Sequence, residues 1–306
     1  MAGEDFRSGF VTFVGRPNAG KSTLMNALVG HKVAITSDRP QTTRRTIRGI
    51  KHHPRAQVII VDTPGVHRPK TLLGQRLNDE ARAAAADVDV VGVCIPADQP
   101  VGRGDSFVIQ QLATAASFRI AIVTKTDTVG KERVVQQLAR VHSTAQELAV
   151  EFDHFIAVSA VTGEGLDTLT DLIVEGLPVG SPLYGEELLR DEPVEVSVSE
   201  LIREAALTEV SDELPHSIAV VVEEIAARPD AAAKRGLLDV RANIFVERDS
   251  QKAIIIGKGG SRLKEVGTRA RCEIEALLDA PVHLDLRVKV AKDWQKDPKQ
   301  MRRLGF

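Results

Sequence analysis

Two unlike stretches of sequence predict two domains: a three-layer α/β domain with a mostly parallel sheet and helices on both faces, then a small α+β unit. Three observations carry this. Over roughly the first 175 residues, short β-rich apolar runs alternate with helical stretches. Residues 177–193 then bring Pro178, Gly180, Pro182, Gly185 and Pro193, after which the order becomes α-β-β-α-α-β. Charge is uneven as well, although its division falls inside the second part. The 306 residues carry a net −2, yet residues 235–306 hold 16 Lys and Arg against 10 Asp and Glu, a net +6, leaving −8 on the rest.

In order, strands are expected at Gly9–Gly15, Gln57–Val61, Asp89–Ile95, Arg119–Val123 and His154–Val158. Continuous apolar runs of this kind suit parallel strands buried on both faces and joined by right-handed crossovers. Helices are expected at Ser22–Val29, Ser106–Ala116, Lys131–Ala149 and Leu166–Glu175. In the second part a helix at Ser199–Thr208 precedes β-like runs at Ser217–Ala226 and Leu237–Val246, a Gly-rich turn within helical sequence, and a strand at Val282–Val290. The expected division is 1–178 for the first domain, 179–198 for a linker and 199–306 for the second domain with its basic tail.

With 43% hydrophobic and 27% charged residues, the composition excludes a disordered chain. No apolar run nears the ~18–20 residues that span a bilayer, and Met1–Phe6 lacks a basic-then-apolar leader. Cys94 and Cys272 lie far apart, offer no disulfide framework and read as core or near-core residues in a reducing cytoplasm. No His/Cys spacing points to zinc. The near-neutral total argues against nucleic acid, but the +6 segment reopens it, with an unevenly charged solvated surface as the alternative.

Gly15-Arg16-Pro17-Asn18-Ala19-Gly20-Lys21-Ser22, followed by Thr23, stands between a strand and a helix and fits G-x-x-x-x-G-K-[ST]. Its glycines let backbone N–H groups converge on phosphates, Lys21 can reach the β- and γ-phosphates, and the Ser22 hydroxyl can ligate Mg²⁺. A chance match in this length is roughly one in a hundred. Asp62-Thr63-Pro64-Gly65 follows the next apolar strand, where a carboxylate can hold Mg²⁺ through water and a Gly N–H can sense a γ-phosphate. Alone, that tetrapeptide is a common turn. Thr124-Lys125-Thr126-Asp127 and Ser159-Ala160 end two further strands. Asp127 can accept from the ring N–H and exocyclic amine of guanine, a donor pair adenine lacks. The Lys125 stem can cover the base and the Ala160 N–H can donate to the guanine oxygen.

This ordered set resembles that of the translation-factor-class GTPases, and Ser37-Asp38-Arg39-Pro40-Gln41-Thr42-Thr43-Arg44 resembles the switch loop of the Era family. The resemblance covers essentially the whole chain. It implies an α/β P-loop GTPase domain followed by a small α+β type II KH domain. It also implies that Thr43 closes on Mg²⁺ and the γ-phosphate, with Thr42 the less favoured candidate and an unliganded polar loop the third reading. Lys21, Thr43 and Gly65 are the expected catalytic groups; Ser22, Thr43 and Asp62 are the expected Mg²⁺ ligands. The family usually has Asn at the position of Thr124, so weaker nucleotide affinity with guanine selectivity retained is expected. Val66, after the second loop, can neither orient water nor take a proton, and His67 reads as an exposed histidine before a base. Unassisted turnover of roughly 10⁻⁴–10⁻² s⁻¹ is expected. In resembling GTPases an Asn placed like Asn18 helps hold K⁺; here it either does so or merely fits the turn.

In the second domain, Ile254-Ile255-Ile256-Gly257-Lys258-Gly259-Gly260 holds a G-x-x-G within the basic segment 235–306. Leu263, Val266, Ala270, Ile274 and Leu277 recur at helical spacing as a buried face, while Arg262, Lys264, Arg269 and Arg271 mostly fall off it. This resembles a KH domain, whose loop clamps about four single-stranded nucleotides. Ile256, Gly257, Lys258, Gly259, Gly260, Arg262 and Lys264 are the expected RNA contacts, in a groove lined by Ile255, Ile256 and Val266. Trp294 with Lys296, Lys299, Arg302 and Arg303 either extends that surface or packs beneath a solvated tail. By resemblance the partners are single-stranded RNA at the 3′ end of 16S rRNA and the small ribosomal subunit during its assembly. The resemblance further implies a cytoplasmic monomer with a membrane-peripheral fraction, and no DNA. The alternatives are a GTP-dependent switch for a protein or membrane partner and, disfavoured by Asp127, a metabolic ATPase.

Overall fold

The computed structural model describes residues 6–36, 47–62, 72–112, 118–208, 217–228 and 236–305. The chain divides between Asp191 and Glu192 into two compact units.

In the first unit, β1 (Arg7–Val14), β2 (Ile47–His53), β3 (Ala56–Asp62), β4 (Val90–Pro96), β5 (Phe118–Thr124) and β6 (His154–Ala157) form one sheet in the order β2-β3-β1-β4-β5-β6. Only β2 runs antiparallel, against β3; the other neighbours pair in parallel. Every residue of β3 and β4 is buried, as their apolar runs Val58–Val61 and Val90–Ile95 require, with Gln57 and Asp62 of β3 buried as polar groups. α1 (Lys21–Val29) and α5 (Leu166–Gly176) cover one face, with Leu24, Met25, Leu169 and Ile173 packed on Val11, Phe13 and Ile122. α3 (Arg103–Leu112) and α4 (Lys131–Glu147) cover the other through Val108, Ile109 and Val141. α2 (Leu72–Ala86) follows β3 in sequence.

In the second unit, α6 (Val194–Thr208) precedes β7 (Ala219–Ala227) and β8 (Leu238–Val246), then α7 (Asp249–Ile256), α8 (Ser261–Leu278) and β9 (Val282–Val290). The sheet order is β7-β8-β9, with β7 antiparallel and β9 parallel to β8. Val266, Ala270 and Ile274 of α8 join Ile202, Val240, Ile244 and Ile255 in a single core. A short α9 (Pro298–Arg303) ends the chain, capped by the Asp297 carboxylate, which accepts from the Lys299 and Gln300 N–H groups, with Pro298 in the first turn.

The expected linker needs correction. Residues 179–191 are bonded onto the first unit, and α6 begins at Val194, inside the stretch read as linker. Ser8 N–H donates to Pro178 O (3.1 Å), Gly180 N–H to Phe6 O (2.9 Å) and Ile50 N–H to Leu189 O (2.9 Å). Gln57, only 1% exposed, accepts from the Leu183 and Tyr184 N–H groups and donates to Tyr184 O. Pro and Gly break regular structure without leaving a chain loose, because its backbone groups still require partners. Cys94 is buried as expected, whereas Cys272 lies exposed on α8 because its position faces away from the Val266–Ala270–Ile274 stripe. The expected helix end at 113–116 and residues 209–216 lie outside the described residues.

Candidate functional site

Four strand ends of the parallel sheet deliver the predicted loops to one edge. β1 runs into Gly15–Gly20 and then α1. A Cβ on Gly15 would lie 2.6 Å from the Cys94 carbonyl oxygen, so no larger residue fits there. Asn18 and Gly20 adopt left-handed backbone conformations (φ 63° and 87°), which curl the loop. Arg16 and Pro17 are half-buried, Ala19 is buried, and Asn18 and Thr23 are exposed.

Lys21 is 6% exposed; its Nζ donates to the carbonyl oxygens of Gly15 (3.2 Å) and Arg16 (2.9 Å). Burial lowers its pKa, with the nearby Asp62 carboxylate acting in the opposite direction. Asp62, the last residue of β3, is 1% exposed and accepts from the Ser22 hydroxyl at 2.9 Å. Hydroxyl and carboxylate oxygens side by side are the hard donors that suit Mg²⁺. Cys94 sits beside this pair, its thiol pushed up to about 12 by burial, and so inert as a nucleophile at neutral pH.

At the far end of the loop, the Thr124 hydroxyl donates to Ala19 O at 2.7 Å, and Thr124 O accepts from Ala97 N–H at 2.8 Å. Threonine therefore joins the base-side loop to the phosphate-side loop with one buried hydrogen bond. Lys125 (φ 58°) places Nζ 3.7 Å from Asp98. The exposed Asp127 carboxylate accepts from the Ser159 hydroxyl at 2.6 Å, and Ser159 Oγ in turn accepts from the Val161 and Thr162 N–H groups. Ser159 thus orients Asp127 instead of competing with it for a base, and Ala160 follows immediately. Thr42, Thr43, Thr63, Pro64, Gly65, Val66 and His67 lie outside the described residues. Asp98 was not anticipated; its only signal is an acidic residue just beyond an apolar strand.

In the second unit α7 and α8 meet at Gly257–Gly260. A Cβ on Gly257 (φ 73°) would stand 2.8 Å from Arg262 Cβ, whereas Gly259 and Gly260 (φ 59° and 80°) have open space around them. Lys258 and Lys264 are exposed, and Arg262 donates to Ile254 O at 2.6 Å, closing the end of α7. Beside the loop a groove of about 480 Å³ runs between α8 and β9, lined by Gly260, Lys264, Gly267, Arg271, His283 and Leu286 among others. The expected lining is corrected: Ile255 and Val266 are fully buried core residues, because their helical spacing turns them toward the sheet. Ile256 is half-buried, and Ile254 is the exposed one of the three isoleucines at 41%. Trp294 is buried, with its Nε1 donating to Ser217 O at 3.0 Å, so it packs while Lys296, Lys299, Arg302 and Arg303 stay exposed.

Comparison with known proteins agrees with both halves. A family model described as 50S ribosome-binding GTPase matches residues 10–126, and one described as KH domain matches residues 213–295. The chain is 58% identical over 301 residues to the GTPase Era of Streptomyces coelicolor, covering 98% of this chain and 95% of that one. It superposes on a crystal structure of an Aquifex aeolicus Era variant bound to GDP·AlF₄⁻ with a TM-score of 0.91 and 35% identity, covering 98% and 99% of the two chains. A structure of Era in complex with MgGDPNP and nucleotides 1506–1542 of 16S ribosomal RNA gives 0.92 and 36%, again over 98% and 99%.

The Thr124–Ala19 bond yields a direct expectation. Thr124→Val, nearly isosteric, should weaken GTP and GDP binding together by roughly 5- to 30-fold, the worth of about 1–2 kcal/mol for one buried hydrogen bond. Fluorescent-nucleotide titration checks it, with the GTP-to-ATP preference unchanged.

Proposed function

The chain belongs to the Era family of GTPases, and on that premise we propose that its first unit hydrolyses GTP while its second binds 16S rRNA near the 3′ end during small-subunit assembly. The observation that carries the reading is the convergence of the phosphate loop, Asp62, Thr124 and the Ser159–Asp127 pair on one sheet edge, in a chain that also holds a G-x-x-G loop beside an open groove.

Lys21 exchanges its two backbone acceptors for the β- and γ-phosphate oxygens, a stronger set of partners for a buried ammonium. The N–H groups of the curled loop and the start of α1 add partial positive charge to the same phosphates. Ser22 and, through water, Asp62 would hold Mg²⁺, with Thr43 joining them as a further ligand. When bound, the ion neutralises charge building on the β- and γ-phosphate oxygens. Gly65 meets the γ-phosphate through its backbone N–H. Asp127, held by Ser159, takes both donors of guanine; adenine would leave it short, at a cost of roughly 1–3 kcal/mol. GDP and phosphate are the products.

The nucleotide complexed with the similar Era structure is MgGDPNP, and its RNA is nucleotides 1506–1542 of 16S ribosomal RNA. The corresponding segment is the proposed ligand here, its backbone passing Gly257, Gly259 and Gly260, its phosphates meeting Lys258 and Lys264, and its bases entering the α8–β9 groove. Work as a cytoplasmic monomer belongs to the same reading. Among the described residues no helix is long and apolar enough to cross a membrane.

Changing Lys258 and Gly259 together to Asp should reduce binding of a 16S 3′-end oligonucleotide at least roughly 100-fold, by charge repulsion on a phosphate path, with GTP hydrolysis within about twofold of normal. Undiminished RNA binding would refute the assignment, and crosslinks scattered over messenger RNA would refute the ribosomal role. The proposed K⁺, held beside the phosphates by Asn18, predicts faster hydrolysis in KCl than in NaCl at equal ionic strength; equal rates remove it.

A further inference from the structure

We infer that Asp105 is a positioning residue for the phosphate loop and acts through Arg16. The inference rests on the GTPase reading and extends it to a residue outside the nucleotide loops.

Asp105 lies in the first turn of α3, 89 positions from Arg16, and is 1% exposed. Its Oδ1 accepts from Arg16 Nε at 2.7 Å, and its Oδ2 accepts from Gly102 N–H at 2.8 Å. One carboxylate therefore fastens the second residue of the phosphate loop to the start of a helix. The stem of Arg16 lies directly against Gly104: a Cβ there would come within 2.7 Å of Arg16 Cδ and 3.2 Å of Cγ. Gly104 is what lets the stem lie so close to α3.

What this anchor holds is the peptide that organises the loop. The Arg16 carbonyl oxygen accepts from Lys21 Nζ at 2.9 Å and from Ala19 N–H at 3.3 Å. A charge-assisted bond to a nearly buried carboxylate is stronger than a neutral one and fixes the guanidinium in direction as well as distance. Arg16 consequently serves the nucleotide through its backbone, its side chain being committed to α3. The phosphate loop is held in its curved form before any phosphate arrives, which lowers the ordering cost of binding. Such a device acts equally on every state of the nucleotide. Losing it weakens binding without selectively raising the barrier to chemistry.

Four variants of the full chain test this: Asp105→Asn, Gly104→Ala, Arg16→Ala, and the double variant Arg16→Ala with Asp105→Asn. The readouts are GDP and GTP-analogue dissociation constants, KM and kcat separately, and melting temperature. Asp105→Asn should weaken GDP and GTP-analogue binding together by roughly tenfold, the size of one charged hydrogen bond, with KM rising more than kcat falls. Gly104→Ala displaces Arg16, leaves Asp105 in place and installs a better helix former. It should lose the same affinity with melting temperature held or raised. Adding Asp105→Asn to Arg16→Ala should cost nothing further, since both remove one interaction. Nucleotide affinity within twofold of wild type in Asp105→Asn and Gly104→Ala overturns the inference. So does a fall in melting temperature that tracks the loss of affinity in Gly104→Ala, which would mark a folding role only. A wild-type chain that binds no GDP refutes the GTPase reading itself and is thereby told apart from either result.

Discussion

A lysine ammonium buried before any anion arrives is the interaction on which the first unit depends. Lys21 stands at the start of α1 with two backbone carbonyls as its acceptors. Desolvation penalises its charge, which is why its pKa is lowered although Asp62 is close by. A group in that state favours a polyphosphate strongly. The surrounding architecture keeps it so: Gly15 excludes any side chain from beneath Cys94 O, left-handed Asn18 and Gly20 bend the loop, and the parallel sheet brings the Asp62 end of β3 alongside. A site of this kind is made mainly of backbone, so its side chains matter mostly for how they hold backbone in place.

The same logic extends to the base end and to the second unit. Thr124, where an amide side chain would offer both a donor and an acceptor, ties the base end to the loop with one hydroxyl, reaching Ala19 O at 2.7 Å. Its short side chain suffices because β5 ends directly beside the loop, and the cost is a single bond where two were available. Around Gly257–Gly260, too, the absence of side chains shapes the turn. Gly257 is required by Arg262 behind it, and the openness at Gly259 and Gly260 leaves their backbone accessible. Both units thus present a curved, glycine-containing turn at the start of a helix to a phosphate chain, one to a nucleotide and, on the proposed reading, the other to RNA.

Much of this was legible in the residues alone. β1, β3, β4 and β5 announce themselves because strands covered on both faces must be apolar throughout, and β9 was readable to its end residues. The turn at Gly15–Lys21 and the strand ends at Asp62 and Thr124 were legible because glycine, lysine and acid positions in such loops are dictated by chemistry and not by packing. β2 was missed since an edge strand, IRGIKHH, is only partly buried and lacks alternation. α2 has only three large apolar side chains, Leu72, Leu73 and Leu77, all near its start, and α9 hides in a basic tail although its Asp-Pro start was a usable capping signal. Proline and glycine made 179–191 read as a linker, while the buried Gln57 that fastens it lies 126 and 127 positions away from its partners. Ile255 and Val266 were placed in a groove because apolar residues near a loop invite that reading; three-dimensional packing turned them inward. Asp105 carries no local signal at all, since its meaning comes from Arg16 across the sheet edge.

The most direct test of the buried-lysine account is the stability of nucleotide-free protein in which Lys21 is replaced by Met. A lowered folded-state pKa means the charge costs stability in full below that pKa, and the cost disappears as pH rises toward the unfolded value of 10.5. Chemical denaturation should therefore show nucleotide-free Lys21→Met as stable as wild type or more so at pH 7, with the wild type gaining on it as pH rises toward about 10. Added GDP should stabilise the wild type and not the variant. A nucleotide-free variant destabilised by several kcal/mol at pH 7, with no convergence at higher pH, would show that Lys21 is a structural anchor and contradict the account.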